Sequence, residues 1–260
     1  MDTLYTKPNQ SMYKDKHAMI RYFFFSIIPV LILFVIMPAN RSSAASGDNP
    51  LTLAYDVRLS GQVYDFSMDA EGGYYFIDNW ANGHVTLTSG EKVSGERLKY
   101  NAYLDELVWL SAESYRPVQI DKRLVKQFSI TLPGQDHPAV FHRISIDEAF
   151  ESDPVHTYVQ LIYDGDISLF VHRRVVKTGE RLKTVRGSLH AIPKLDDDPV
   201  YYIITSDDQI KELSRLSRRA LYGIFPDNRQ DIRNILRDER LLIRSETDLI
   251  RAVSLIEHKI

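Results

Sequence analysis

The sequence predicts an α+β protein in which a curled antiparallel β-sheet, or a partial barrel, is followed by helices. From about residue 50 to 205, apolar residues recur with period two and turn signals follow at short intervals, which is typical of antiparallel strands. From 206 to 260, the apolar residues recur with helical spacing. Strands followed by helices favour a sheet with its helices segregated to one side or end.

The clearest strand pair is a hairpin over residues 158–173. Apolar and polar residues alternate on both sides of Asp164-Gly165, a dipeptide that indicates a tight turn with positive φ. A meander over 74–110 is predicted to turn at Asn82-Gly83 and at Ser89-Gly90 and to bend at Asp105-Glu106. Further strands are predicted over 51–59, 124–132, 139–144 and 200–205.

Three helices are predicted after residue 205. Residues 206–209 and 245–248 resemble capping boxes, and Asp227 is predicted to cap the helix between them. The first helix is expected to end at Phe225-Pro226. The residues expected to form its buried stripe are Ile210, Leu213, Leu216, Leu221 and Ile224. The arginines on the opposite helix faces are interpreted as solvated.

The N-terminal segment predicts export to the periplasm or cell envelope. Residues 22–39 are uncharged and strongly apolar, basic residues precede them, and small residues follow at 42–46. These are the three parts of a secretory signal peptide. We expect a signal over 1–45, a β-rich region over 46–205, and a helical tail over 206–260 packed on the sheet. The alternative is an uncleaved anchor, which would make the N-terminal segment the only membrane contact.

Charge and cysteine content exclude several classes of function. The net charge is −3, and removal of residues 1–44 takes away more basic than acidic side chains, so an acidic body remains. Nucleic-acid partners normally need a basic surface, and none is expected here. The sequence contains no cysteine, which excludes disulfides, thiol nucleophiles and thiolate metal ligands.

No catalytic or cofactor-binding motif is present, so enzymatic activity is not the favoured interpretation and no cofactor is expected. Asp136, His137 and His142 offer a histidine pair without an identifiable third ligand, and no metal site is predicted. The acidic run 196–198 and the cluster of Asp147, Glu148 and Glu151 lack the ligand spacing of a calcium loop.

Aromatic residues provide the candidate binding site. They make up 11% of the chain and are concentrated in the meander. Exposed rings would stack on a sugar or contact a partner protein, whereas core packing is the alternative, since strands favour aromatic residues in any case. The candidate ligand-binding residues are Tyr75, Trp80, Tyr100, Tyr103 and Trp109.

Residues 74–110 contain the pattern Trp-x-x-Gly-x-Val-x-Leu, then Leu-Lys-Tyr-Asn, then Asp-Glu-Leu. With this pattern the chain resembles a group of uncharacterised exported proteins common in Bacteroidota. The residues that match the pattern are Trp80, Gly83, Val85, Leu87, Leu98, Lys99, Tyr100, Asn101, Asp105, Glu106 and Leu107. His84 and the ending Ile256-Glu257-His258 depart from the pattern. The resemblance implies export and the same fold, and it supplies no activity and no catalytic residues.

Three functions are consistent with these observations. The leading hypothesis is a non-catalytic envelope protein that binds a small ligand or an envelope protein through its sheet. The second is a carrier of an apolar ligand held between sheet and helices, which a large apolar cavity would favour. The third is an enzyme of unrecognised type, which would require acid, base or nucleophile side chains converging in one pocket.

Overall fold

The structure, a computed structural model, describes residues 59–146, 155–205 and 209–259. Its antiparallel sheet and C-terminal helices confirm the predicted α+β class. The expected signal segment, the acidic cluster at 147–151, nearly all of the strand predicted over 51–59 and most of the first capping box lie outside the described residues.

Eleven strands of the described chain form one open antiparallel sheet, in the order β1-β5-β4-β3-β2-β6-β7-β8-β9-β12-β13. The strands are β1 (Gly61–Val63), β2 (Ala81–Leu87), β3 (Lys92–Asn101), β4 (Glu106–Leu110), β5 (Pro117–Ile120), β6 (Val125–Ile130), β7 (Ala139–Ile146), β8 (Val155–Tyr163), β9 (Ser168–His172), β12 (Val200–Ile204) and β13 (Ile210–Leu213). A separate two-stranded arm consists of β10 (Val175–Val185) and β11 (Ser188–Asp197). The strands predicted over 124–132, 139–144 and 200–205 are confirmed as β6, β7 and β12.

One face of the sheet carries both main cores. Directly paired residues on antiparallel strands point to the same face, so a row of pairs can be followed across the sheet. The row comprises Val93, Val85, Phe128, Phe141, Gln160, Val171, Tyr201 and Leu213. In the first half of this row, Phe128 and Phe141 stack with ring centroids 4.7 Å apart, and Tyr100 and Tyr158 pack around them. We call this face the core face.

The helices bury the second half of the core face. They are α1 (Arg218–Ile224), α2 (Arg229–Asp238) and α3 (Glu246–Lys259). Leu221, Ile232 and Leu249 contribute one residue from each helix to a fully buried cluster that also contains Leu169 and Ile203 of the sheet. The helices therefore share a core with the sheet.

The helix boundaries follow local capping. Ser245 Oγ accepts a hydrogen bond from Asp248 N, and Asp248 Oδ2 accepts one from Ser245 N, so the capping box predicted for the last helix is confirmed. Ser217 Oγ accepts a bond from Ala220 N and caps α1. The cap position of α2 is occupied by Asn228, not by the expected Asp227.

The prediction of a helix that starts near residue 206 is wrong for the first part of that segment. Residues 210–213 form β13, which pairs with β12 from Tyr201 to Ile204, and α1 starts only at Arg218. Ile210 and Leu213 are three residues apart, a spacing that suits a helix, but Leu213 lies in the buried row across the sheet. Pairing with β12 therefore determines the local structure here.

Two predicted turns also differ from the structure. Asn82-Gly83 lies inside β2, where a Cβ on Gly83 would be 2.6 Å from Leu98 Cδ1 and closer still to the Ser129 carbonyl, so this glycine permits close approach of strands. Gly165 lies in a four-residue link between β8 and β9 and does not have the positive φ that was expected. The turn at Ser89-Gly90 is confirmed, with φ +92° at Gly90.

Candidate functional site

The face of β3, β4 and β5 opposite the core carries the candidate site. Leu98 pairs with Trp109 and Tyr100 with Leu107, and these residues point to the core face. Because side chains alternate along a strand, Lys99 and its partner Val108 point to the other face. Gln119 is the next residue in that row. We call this side the outer face.

Lys99 brings two of the predicted site residues together. Its ammonium nitrogen lies 4.3 Å from the centroid of the Tyr75 ring and 5.5 Å from that of Trp80. Both distances are within the range of a cation–π contact. Tyr75 reaches this position because it forms an isolated bridge with Asn101, the last residue of β3. Tyr75 and Trp80 thus lie at one place on the outer face.

Asn101 holds the neighbouring elements in place. It is completely buried, and its Nδ2 donates to the Tyr64 hydroxyl at 2.6 Å. Its Oδ1 accepts hydrogen bonds from the backbone N–H groups of Tyr103 and Leu104 at 3.0 and 2.9 Å. The same side chain therefore fixes the turn after β3 and places Tyr64 beside Tyr75.

A carboxyl–amide pair extends this surface. Gln119 Nε2 of β5 donates to Glu106 Oε1 of β4 at 2.8 Å. Burial raises the pKa of Glu106, although Lys122 and Gln119 act in the opposite direction. The carboxyl is consequently easier to protonate than one in free solution.

Burial also shifts the pKa of the other ionisable groups here. It raises the pKa of the Tyr64 and Tyr75 hydroxyls and lowers that of the Lys99 ammonium. In each case desolvation is the largest cause and disfavours the charged form. Several shifted groups in one area are typical of functional sites, although structural networks produce them too. We define the polar–aromatic face as Tyr64, Tyr75, Trp80, Lys99, Glu106 and Gln119.

The other predicted site residues are placed differently. Tyr100 is fully buried among core aromatics, with its hydroxyl donating to Asp105, so it has no surface to offer a ligand. Trp109 packs on the core side, and its indole N–H donates to Glu96. Tyr103 is half-buried and also packs against the core. These three residues therefore contribute to core packing, which was the alternative to a role in ligand binding.

Sequence reasoning missed Tyr64, Lys99, Glu106 and Gln119. The position of Lys99 on the outer face was predictable, because it alternates with the apolar Leu98 and Tyr100 and must point away from them. Tyr64 had none, since its contact with Asn101 joins residues 37 positions apart.

A second polar cluster surrounds Asp105, which has φ +55° in the turn between β3 and β4. Its carboxylate accepts hydrogen bonds from the Tyr100 hydroxyl at 2.7 Å, from Lys122 Nζ at 2.7 Å and from Thr157 Oγ1 at 2.8 Å. Thr157 belongs to β8, so the cluster joins two parts of the sheet that are distant in sequence.

The Asp105 cluster is built as an internal anchor. Thr157 is 4% exposed and Tyr100 is fully buried, so their hydroxyls are not accessible to a substrate. Burial lowers the pKa of the neighbouring His172, while Asp105 acts in the opposite direction. The donors around Asp105 already bond to its carboxylate, so this cluster stabilises the fold.

Within residues 59–146, 155–205 and 209–259, no three histidine or carboxylate side chains are grouped suitably for a metal ion. None of the helices in these ranges has the length and apolar character needed to cross a bilayer.

The chain was compared with protein-family models, with curated proteins and with solved structures. No family model matches it, and neither does any curated protein or solved structure. The function is therefore inferred from the geometry of the polar–aromatic face.

Proposed function

We propose that the protein is a non-catalytic, exported envelope protein that binds a carbohydrate chain through the polar–aromatic face of its sheet. The observation that carries this proposal is the contact of Lys99 with Tyr75 and Trp80, among ionisable groups whose pKa values are shifted by burial. Export rests on the N-terminal segment, with its basic, apolar and small-residue parts.

A carbohydrate suits this surface because it is both apolar and polar. The C–H faces of a sugar ring stack on aromatic rings, and its hydroxyls donate and accept hydrogen bonds. Tyr75 and Trp80 supply rings, while Lys99, Gln119 and Glu106 supply donors and acceptors. A wholly apolar ligand would leave these polar groups without partners, which is costly.

Binding without catalysis is favoured by the carboxyl content of the face. Glycoside hydrolysis normally uses two carboxyl groups on opposite sides of the bond that is cleaved. The six residues that define the polar–aromatic face include one carboxyl, that of Glu106, and its Oε1 is engaged by Gln119. We therefore expect the face to bind a carbohydrate without cleaving it.

The two tryptophans provide an internal test, since Trp80 lies at the proposed site and Trp109 on the core side. Trp109→Phe leaves Trp80 as the only tryptophan, and Trp80→Phe leaves only Trp109, so excitation selective for tryptophan reports on one position in each variant. Titration with soluble oligosaccharides of hexoses and N-acetylhexosamines should produce a saturable emission change in Trp109→Phe and none in Trp80→Phe. No change in Trp109→Phe with any of them, or equal changes in both variants, would refute the site.

A further inference from the structure

A cavity of about 550 Å³ lies between the sheet and the helices. Its walls come from the β8–β9 link, from Thr205 directly after β12, from β13, from the end of α1 and the α1–α2 link, and from the last turns of α3. This volume falls in the range of small-molecule sites, roughly 300–1,000 Å³. The cavity is formed by different elements from those of the polar–aromatic face.

The lining of the cavity is apolar on one part and charged on another. The apolar residues are Ile167, Ile224, Phe225, Pro226 and Ile256. The polar residues are Asp166, Thr205, Lys211, Asp227, Asn228 and Glu257. The mixed lining does not match the large apolar cavity that a carrier of a purely apolar ligand would need, because such a ligand would desolvate charged groups without replacing their hydrogen bonds.

Carboxylates dominate the charge of the cavity. Among the described residues that line it are three carboxylates, from Asp166, Asp227 and Glu257, and one ammonium group, that of Lys211. Lys211 Nζ donates to the Ile224 carbonyl at 3.3 Å, which orients it toward the end of α1.

Glu257 is held by the protein itself. Its carboxylate accepts hydrogen bonds from the Tyr163 hydroxyl and from the Ile167 backbone N–H. These bonds lower the pKa of Glu257, so it stays ionised. By contrast, the exposed carboxylates of Asp166 and Asp227 make no ion pair with any described residue.

We propose that this cavity is a second binding site, which takes a small amphipathic molecule with an apolar body and a protonated amine. The apolar body packs on Ile167, Phe225 and Ile256. The ammonium group pairs with the exposed carboxylates of Asp166 and Asp227 through charge-assisted hydrogen bonds. This site does not depend on carbohydrate binding at the polar–aromatic face.

The charge of the ligand is the decisive feature of the test. n-Hexylamine, hexanoate and hexanol share one apolar chain and differ in their head group. Each is titrated into the full chain while amide and methyl NMR signals are followed. We expect saturable shifts at Ile167, Phe225 and Ile256 for hexylamine, with weaker binding of hexanol and still weaker binding of hexanoate.

Variants identify the groups responsible. Asp227→Asn should weaken hexylamine binding by roughly two- to fivefold and leave hexanol binding unchanged, as expected for loss of an exposed ion pair. Asp136→Asn, in an exposed loop outside the cavity, is the matched control and should have no effect. Equal binding of all three compounds, tighter binding of hexanoate, or no saturable shift at the cavity would each overturn the proposal.

Discussion

The carboxylate of Glu257 in α3 lies directly against Gly165 in the link between β8 and β9. A Cβ placed on Gly165 would be 2.8 Å from Glu257 Cδ and closer still to both carboxylate oxygens. Glu257 is held there by the Tyr163 hydroxyl and the Ile167 N–H. The glycine therefore leaves room for the Glu257 side chain, and its backbone has no positive φ that would itself favour glycine.

Gly165→Ala should destabilise the protein by about 0.5–1.5 kcal/mol, because the added methyl group displaces the Glu257 carboxylate from its hydrogen bonds with Tyr163 and Ile167. Urea unfolding measures the change. Gly179→Ala is the control, because this glycine of β10 also lacks a positive φ and nothing lies within 4 Å of its Cβ position.

A double-mutant cycle separates the two explanations for Gly165. In a Glu257→Ala background the obstacle is gone, so Gly165→Ala should cost less than about 0.5 kcal/mol there. An unchanged cost in that background would mean that the backbone of the link itself requires glycine.

Strands such as β6 and β7 were predictable because their buried residues lie on one face, which leaves an alternation along the strand. The glycines at 83 and 165 were misinterpreted for a physical reason. A glycine that opens a turn and a glycine that admits a neighbouring group give the same local sequence. The groups they admit, from Ser129, Leu98 and Glu257, are distant in the chain.

The error at residues 210–213 has a similar origin. Four residues with apolar positions at both ends fit one helical turn as well as a short strand. The pairing of Leu213 with Tyr201, which contributes to the buried row, determines that these residues form a strand.

The outer face was only partly predictable. The alternation along β3 places Lys99 on it, but no local pattern brings Tyr64 to it.

Asp105 should be the most sensitive polar residue of the sheet. Asp105→Asn removes the charge and one acceptor oxygen from a group that serves Tyr100, Lys122 and Thr157. We expect a loss of about 2–3 kcal/mol in the free energy of unfolding, because buried donors then lack partners. Asp136→Asn, in an exposed loop, serves as the control. Equal stability of the two variants would contradict the anchoring role.

Stability should fall as the pH is lowered from about 7.5 to 5. Burial lowers the pKa of His172 and His142 below the 6.5 of a free histidine. The unfolded chain therefore binds protons first as the pH falls, which favours unfolding, whereas above about pH 7.5 neither state is protonated and the effect vanishes.

Thermal midpoints measured across this pH range test whether His172 is a source of the pH dependence. His172→Gln should flatten the dependence, and His137→Gln, at an exposed loop position, should leave it unchanged. The carboxylates with lowered pKa, such as Asp248 and Glu257, titrate at lower pH. Glu106, whose pKa is raised by burial, opposes the trend, but it does so equally in all three proteins, so the comparison between them still isolates His172. A slope that is the same in His172→Gln and in the unsubstituted protein would exclude His172 as its source.

The helices and the sheet should unfold together. Leu249 of α3 is completely buried in the cluster that includes Leu169, Val171 and Ile203 of the sheet, whereas Leu242 is 49% exposed. The helices are also short, and isolated helices of 7 to 14 residues are marginal in water without tertiary contacts. Their stability must therefore come from this shared core.

Two leucine substitutions and two spectroscopic signals test this coupling. Leu249→Ala should cost about 2–5 kcal/mol, and Leu242→Ala less than about 1 kcal/mol, because only the first leaves a cavity. Trp80 and Trp109 both belong to the sheet region, so their fluorescence reports on the sheet, while helical circular dichroism reports on α1, α2 and α3. In Leu249→Ala both signals should shift by the same amount and keep a single transition, since loss of helix packing exposes the apolar sheet residues beneath it. If the helical signal is lost first and the tryptophan signal remains at its original midpoint, the sheet has a complete core of its own and the helices are a separate unit.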